Sequence, residues 1–145
     1  MPRPALLDVN VLIALFDPTH VHHEPAHDWF AGNRSRGWAT CPLTENAFVR
    51  ILSRAMPGRP PGRPAVVASH LRAFCGAADH LFWPDAMTLL DTAHVDLSAA
   101  PQRQVTDIYL AALAHAHGGV LATFDTSIFV AAAAGAELEV IGPAA

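Results

Sequence analysis

Residues 5–15 read Ala5-Leu6-Leu7-Asp8-Val9-Asn10-Val11-Leu12-Ile13-Ala14-Leu15. A short apolar run ends at Asp8, and a longer one follows after Asn10. We predict a buried strand from Pro4 to Asp8 and a helix that starts at Val11 and continues to Phe16. A carboxylate at the end of a buried strand is costly unless its charge is compensated. Asp8 therefore needs an explanation beyond packing.

Strand and helix patterns alternate along the rest of the chain. We predict helices at 22–30, 42–54, 65–77, 85–90, 106–117 and 127–134, and strands at 37–41, 80–83, 120–123 and 138–141. Thr106 is the expected N-cap of its helix, Gly118 and Gly119 the expected stop, and 56–64 the expected loop. This alternation favours an α/β fold with one domain over 1–145, in which a parallel sheet of about five strands carries helices on both faces.

The composition limits the class of protein. The chain has 145 residues, of which 52% are hydrophobic and 15% charged, as expected for one compact domain. No apolar run approaches the roughly 20 residues that span a bilayer, and the start Met1-Pro2-Arg3-Pro4 is unlike a signal peptide. Cys41 and Cys75 lack a metal-ligand spacing, so we expect buried free thiols. Together these features predict a soluble cytoplasmic protein.

Four acidic residues occupy comparable positions in the predicted fold. Asp8 and Asp125 directly follow strands, Glu45 lies within one helical turn of a strand, and Asp107 begins a helix. Ligands of open parallel sheets bind outside the carboxyl ends of the strands. We therefore expect the four carboxylates to meet at one edge, where a divalent cation is the simplest compensating charge. This arrangement predicts a metal-dependent nuclease.

Each acidic residue also has a purely structural explanation. Asp8 is a favourable N-cap for the helix that follows it. Glu45 and Asp107 lie in first helical turns, where the helix dipole favours negative charge. Asp125 precedes Thr126 and Ser127 and is typical of a turn. The functional interpretation depends on the joint placement of the four.

The distribution of charge is more informative than the net charge of −4. Every one of the nine basic residues is arginine, and the nine acids outside the proposed site balance them. An acidic total does not favour nucleic-acid binding. However, one stretch holds four of the arginines, which either contact an RNA backbone or belong to a solvated loop: Arg50, Arg54, Arg59 and Arg63.

The dense histidine cluster admits two interpretations. It consists of His20, His22, His23 and His27. Zinc binding is one, but no cysteine or acidic residue completes a recognised spacing. We therefore favour a polar helix face.

Four segments resemble those of PIN-domain toxins of the VapC type. They are Leu6-Leu7-Asp8-Val9-Asn10-Val11-Leu12-Ile13-Ala14-Leu15, Thr40-Cys41-Pro42-Leu43-Thr44-Glu45, Thr106-Asp107-Ile108-Tyr109-Leu110-Ala111-Ala112-Leu113-Ala114 and Gly119-Val120-Leu121-Ala122-Thr123-Phe124-Asp125. Each segment is short, but their order and spacing are specific and together cover nearly the whole chain. The Arg/Pro/Gly loop and the histidine cluster have no counterpart in that pattern.

The resemblance implies a ribonuclease that acts as the toxin of a bacterial toxin–antitoxin pair. By resemblance, Asp8, Glu45, Asp107 and Asp125 form the acidic site that binds Mg²⁺ or Mn²⁺, while Asn10 and Thr123 support these acids. It further implies an RNA substrate, a VapB-type antitoxin that blocks the site, and a toxin homodimer. Hard oxygen ligands suit Mg²⁺, which shares its coordination shell with substrate phosphate.

Two other functions fit parts of the sequence. An aspartate-dependent phosphotransfer domain also has an aspartate at a strand end, but such folds generally use a lysine, and this chain has none. A non-catalytic PIN-like module that binds RNA or a protein partner is the second alternative. The presence of all four acids counts against it.

Overall fold

One parallel five-stranded sheet organises the molecule in the computed structural model, which describes residues 2–54 and 62–142. The strands are β1 (Ala5–Leu7), β2 (Trp38–Thr40), β3 (His80–Phe82), β4 (Val120–Thr123) and β5 (Leu138–Val140). Their order in the sheet is β3-β2-β1-β4-β5. The chain thus starts at the centre, builds one half of the sheet through β3, and then crosses over to build the other half.

Five α-helices cover the two faces of the sheet, as predicted. They are α1 (Val9–Phe16), α2 (His23–Asn33), α3 (Pro42–Leu52), α4 (Pro64–Phe74) and α5 (Val105–Ala116). Helices α1 to α4 contribute to the core on one face, and α5 fills the core on the other. The α/β class with helices on both faces of a parallel sheet is confirmed.

The central strands are apolar on both faces, which is why they read as continuous hydrophobic runs. In β1, Ala5 and Leu7 pack into the core beneath α1 to α4, whereas Leu6 packs into the core beneath α5. In β4 the same alternation places Ala122 with the first group and Leu121 with the second. A parallel sheet covered on both sides requires this pattern.

Most predicted elements form, with ends that differ by a few residues. Helix α1 begins at Val9, two residues earlier than predicted, and Pro42 is the first residue of α3 as expected. Helix α4 begins at Pro64 and ends at Phe74, short of the predicted end at residue 77. The predicted loop at 56–64 lies largely outside the described residues.

The predicted helix at 127–134 is wrong: only a three-residue 3-10 turn, Val130–Ala132, forms there. Gln104 explains the difference, because its buried side chain donates to the carbonyl of Ser127 at 2.8 Å and accepts from the N–H of Phe129 at 2.7 Å. The carbonyl of Ala132 accepts from the N–H of Asp96. Backbone groups that a helix would pair internally are thus paired with distant parts of the chain.

Two further local predictions fail. No helix forms at 85–90, where Met87 and Leu89 pack on the core in an alternating pattern and Leu90 is 86% exposed, so the segment lacks the helical spacing of buried residues that would offset the cost of nucleating a short helix. Thr106 is not the N-cap of α5, which starts at Val105 directly after a 3-10 turn, Gln102–Gln104.

The turn between α5 and β4 is built on two glycines, as predicted. Gly118 has a φ of +74°, a left-handed conformation that favours glycine. A side chain at Gly119 would place its Cβ 2.5 Å from the carbonyl oxygen of Pro4 and 2.6 Å from the ring of Trp83. Only glycine therefore permits β4 to enter the sheet directly beside β1.

Both cysteines are free, but they differ in burial. Cys41 is buried, whereas Cys75 is only half-buried, so the expectation of two buried thiols holds for the first alone. Burial raises the pKa of Cys41 and raises that of Cys75 to about 11, which keeps both thiols protonated. Within residues 2–54 and 62–142, no helix has the length and apolar character required to cross a membrane.

Candidate functional site

The chain builds the sheet outward from β1 in one direction and from β4 in the other, so the topological switch point lies between these two strands. Asp8 and Asp125 flank this point. Asp8 directly follows β1, and its N–H donates to the carbonyl of Ala122 in β4 at 3.0 Å. Asp125 follows β4 by two residues. Crevices at such switch points, outside the carboxyl ends of the strands, are where open α/β sheets bind ligands.

Asp8 is a buried carboxylate with only 4% of its surface exposed. Its side chain makes no capping bond to α1 by hydrogen-bond geometry, although the backbone N–H groups of Val9 and Asn10 favour its charged form by lowering its pKa. Instead, Oδ2 accepts a hydrogen bond from Oγ1 of Thr123 at 2.9 Å. Burial raises the pKa of Asp8 above its ordinary value, the bond from Thr123 opposes the rise, and the charge of Asp125 adds to it.

Asp107 lies in the first turn of α5, which runs back from this edge of the sheet. Burial raises the pKa of Asp107 to about 6, and the negative charges of Asp8 and Asp125 contribute to the rise. The charges of Asp8 and Asp125 thus both act on Asp107, which identifies the three carboxylates as electrostatic neighbours.

Asp125 is fixed by a turn. Its Oδ1 accepts from the N–H of Ser127 at 2.7 Å and from the hydroxyl of Ser127 at 2.6 Å, while its own N–H donates to Oγ1 of Thr123 at 3.1 Å. The bonds from Ser127 lower the pKa of Asp125, and the charge of Arg103 adds a smaller attraction. Thr123 therefore bridges the side chain of Asp8 and the backbone of Asp125.

Glu45 lies in the first turn of α3, which follows β2, and faces different groups. Oγ1 of Thr40 donates to its Oε2 at 2.7 Å, and the same hydroxyl lies 2.8 Å from Nε2 of His80. Glu45 shares a cleft of about 520 Å³ with Arg72, Cys75 and His80. The charges that raise the pKa of Asp107 come from Asp8 and Asp125, and not from Glu45.

Comparison with known proteins places the chain in a family. The model of the PIN domain matches residues 5–135. The chain belongs to the PIN-domain family. It is 46% identical to Ribonuclease VapC39 of Mycobacterium tuberculosis over 132 residues, which cover 90% of this chain and 95% of that protein. It is also 46% identical to Ribonuclease VapC44 of the same organism over 136 residues, covering 91% and 93% of the two chains. The resemblance to VapC-type PIN domains is confirmed.

The acidic edge of this PIN domain has the chemistry of a hard-cation site. All its donors are carboxylate oxygens, and the pKa values of Asp8 and Asp107 are raised first by burial and then by the charges of neighbouring aspartates. Among the described residues, no group of three His, Cys, Asp or Glu side chains is arranged to hold a metal ion as it stands. Mg²⁺ is usually bound by one or two carboxylates with water and substrate phosphate, so a converging pair is sufficient.

The structure separates the remaining predicted site residues. Asn10 is exposed and lines a cleft with Thr123 and Asp125. The exposed side chains of Arg50 and Arg54 line another cleft, of about 740 Å³, together with Glu45.

Two further arginines complete the predicted basic stretch. Arg63 is exposed and immediately precedes α4. Arg59 lies outside the described residues.

Half of the histidine cluster lies beside the site, a position that was not predicted from the sequence. His20 and His22 precede α2 and line the cleft that contains Asp125. His23 and His27 lie on α2, and their ring nitrogens contact the last carbonyls of α1, those of Ala14 at 2.6 Å and Leu15 at 2.8 Å.

A polar helix face therefore does not describe the cluster. The sequence contained one indication of this arrangement. His20 precedes the predicted helix at 22–30 and His22 is its first residue, so neither belongs to the body of the helix.

Proposed function

We propose that this PIN domain is a Mg²⁺- or Mn²⁺-dependent endoribonuclease, the toxin of a type II toxin–antitoxin system, and that residues 1–145 form one catalytic domain. The convergence of Asp8, Asp107 and Asp125 at the switch point of the sheet carries the proposal. Three acids at one edge, with the pKa of Asp107 raised to about 6, form an anionic crevice that repels RNA unless a cation is present. The relatives named as ribonucleases support the substrate class.

Asp8, Asp107 and Asp125 would hold the ion, and Asp125 would contribute from the loop after β4. A bound divalent ion supplies an activated water and stabilises charge on the scissile phosphate. Thr123 keeps Asp8 oriented through its hydroxyl, and Ser127 keeps Asp125 oriented. These supports allow the carboxylates to be positioned before RNA arrives.

Glu45 would act from the first turn of α3. Its bond to Thr40 fixes one oxygen, Oε2, and its side chain also lines the cleft of Arg50 and Arg54. RNA phosphates bound by these arginines would therefore lie close to Glu45. Arg50, Arg54, Arg59 and Arg63 would thus hold the backbone and reduce the repulsion that an acidic protein exerts on RNA.

The proposal is tested by RNA cleavage with purified protein. Asp8→Asn and Asp107→Asn each remove one charge without changing side-chain size, so we expect both variants to remain folded and to lose cleavage and growth inhibition. A chelator should abolish cleavage by the unmodified protein. Cleavage that persists in both variants and in chelator would falsify the metal-dependent mechanism.

The non-catalytic alternative is favoured by one observation, the absence among the described residues of a ready three-ligand metal site. It predicts RNA or partner binding that is unchanged by chelator and by Asp107→Asn. A VapB-type antitoxin and a homodimer remain predictions from the resemblance, and a cytoplasmic location remains a prediction from the composition. Co-expression with a candidate VapB-type protein and measurement of the mass of the purified complex would test the first two.

A further inference from the structure

A group of aromatic side chains lies next to the aspartates and has no role in the mechanism above. His20, His22 and Phe124 line a cleft of about 300 Å³ together with Asn10, Thr123 and Asp125. Phe124 directly follows β4 and directly precedes Asp125. The cleft therefore opens beside the residue that would meet the scissile phosphate.

The rings of this group form a stack. His22 lies on Phe124 with ring centroids 4.4 Å apart and planes 22° from parallel. His20 is tilted toward both rings, with centroids 5.8 Å from His22 and 6.1 Å from Phe124. All three side chains are only half-buried, so the stack borders solvent on the side of the cleft.

The polar atoms of the group are available for recognition. Nδ1 of His20 accepts the N–H of His22 at 3.0 Å, which places the proton of a neutral ring on Nε2 as a donor. Within the described residues, the ring nitrogens of His22 have no hydrogen-bond partner. Because His22 borders solvent, these nitrogens remain accessible to a ligand in the cleft.

We propose that this His22–Phe124 stack, which we term the base platform, binds one nucleobase of single-stranded RNA next to the aspartates. Single-stranded RNA is recognised by stacking of unpaired bases on aromatic and histidine rings, with hydrogen bonds to the base edges. Nε2 of His20, the ring nitrogens of His22 and the amide of Asn10 supply donors and acceptors for such an edge. The proposal rests on RNA being the substrate of the proposed function.

The chemistry of the cleft favours a base over a free anion. Asp125 contributes a carboxylate to the lining, and among the described residues no arginine lines this cleft, although the charge of Arg103 reaches Asp125. A phosphate held here without a cation would be repelled, whereas a neutral base on a ring stack would not. The base platform would therefore determine which nucleotide lies beside the cleaved bond, while phosphate contacts are made elsewhere.

The test measures binding without cleavage. In an Asp107→Asn background, which we expect not to cleave RNA and in which the site carries one negative charge fewer, the affinities of fluorescein-labelled octa-adenylate, octa-uridylate and an abasic octamer are measured by fluorescence anisotropy. His22→Ala removes the ring, His22→Phe keeps a stacking face, and His70→Ala removes an exposed histidine of α4 as a matched control. Thermal denaturation of each variant checks that the fold is retained.

We expect His22→Ala to weaken binding of at least one base-bearing octamer by about 5- to 100-fold, the range measured for loss of one base–aromatic stack. His22→Phe should stay within about threefold of the background protein, because stacking is retained. His70→Ala should bind the base-bearing octamers as the background protein does. The abasic octamer should bind equally well to the background protein and to His22→Ala.

Three results would overturn the base platform: unchanged affinity in His22→Ala, an equal loss with the abasic octamer, or no saturable binding of either base-bearing octamer. The first two leave the metal-dependent nuclease intact, because cleavage and chelator sensitivity are measured separately. Conversely, chelator-resistant cleavage would defeat the nuclease mechanism without altering the result for His22.

Discussion

Asp8 and Thr123 form a pair whose energetics connect folding to function. A carboxylate that is 4% exposed keeps one protein hydroxyl donor, that of Thr123, and its pKa is raised mainly by burial. Burial of a carboxylate costs free energy, and a bound cation would offset that cost. The same hydroxyl accepts the N–H of Asp125, so one threonine organises two members of the site.

Thr123→Val should therefore reduce both stability and cleavage. Valine has a similar shape but neither donates to Asp8 nor accepts from Asp125, and the unpaired groups should cost roughly 1–3 kcal/mol of unfolding free energy. Urea denaturation and initial cleavage rates measure the two effects. Thr126→Val, at an exposed position three residues later, is the matched control, and an equal effect there would contradict the role of Thr123.

At the scale of elements, side-chain bonds between distant segments account for what sequence patterns missed. The helix expected at 127–134 is replaced because Gln104 captures the backbone of Ser127 and Phe129, 23 and 25 residues away. No local pattern contains that pairing. By contrast, the strands of the sheet and helices α1 to α5 follow from hydrophobic runs, proline and glycine positions, because their hydrogen bonds are local or repeat regularly.

A second long-range contact ties the segment after α2 to the start of β3. Arg34 donates to Asp79 through Nε at 2.7 Å, and the indole N–H of Trp38 donates to the same carboxylate at 2.9 Å. These bonds lower the pKa of Asp79 from 3.8 to about 2, with the Arg34 bond the largest cause. Because the folded pKa is the lower one, the stabilisation is present above about pH 4 and is lost as the pH falls toward 2.

Asp79→Asn should consequently destabilise the protein at pH 7 and have a smaller effect at acidic pH. We expect a loss of roughly 1 kcal/mol at pH 7, less than the full pKa shift implies because solvent screens the partly exposed Arg34. Urea denaturation at several pH values between 7 and 3 measures the difference. Asp28→Asn, on the exposed surface of α2, is the control. A difference that widens below pH 4 would contradict the role of this ion pair.

For the whole molecule, the topology explains how acids far apart in sequence meet. Asp8 and Asp125 were predictable as neighbours because each follows a strand, and β1 and β4 pair directly in the sheet. The pairing of Glu45 with Thr40 and His80 was not predictable, since it depends on β3 lying next to β2. The position of His20 and His22 was not predictable either. Their contact with Phe124 depends on the turn before α2 packing on the end of β4, and a sequence pattern does not show that packing.

Charge at this scale predicts the response of RNA binding to salt. In the Asp107→Asn background, Arg50→Gln with Arg54→Gln should weaken RNA binding and reduce the slope of log affinity against log salt by about 1 to 2, as expected for two lost phosphate contacts. Titrations between low and moderate salt measure the slope. As a control, Arg3→Gln should leave the slope unchanged, because Arg3 precedes β1 at the opposite edge of the sheet. An unchanged slope in the double variant would show that Arg50 and Arg54 belong to a solvated surface and do not contact RNA.

The central claim is that Asp8, Asp107 and Asp125 bind a divalent cation, and Mn²⁺ binding tests it most directly. Electron paramagnetic resonance of free Mn²⁺ during titration of purified protein counts the bound ions and gives their affinity. We predict saturable binding by the unmodified protein, loss of that binding in Asp107→Asn, and retention in Asp85→Asn, an exposed carboxylate outside the site. Binding by Asp107→Asn that equals that of the unmodified protein, or no saturable binding by the unmodified protein, would contradict the claim.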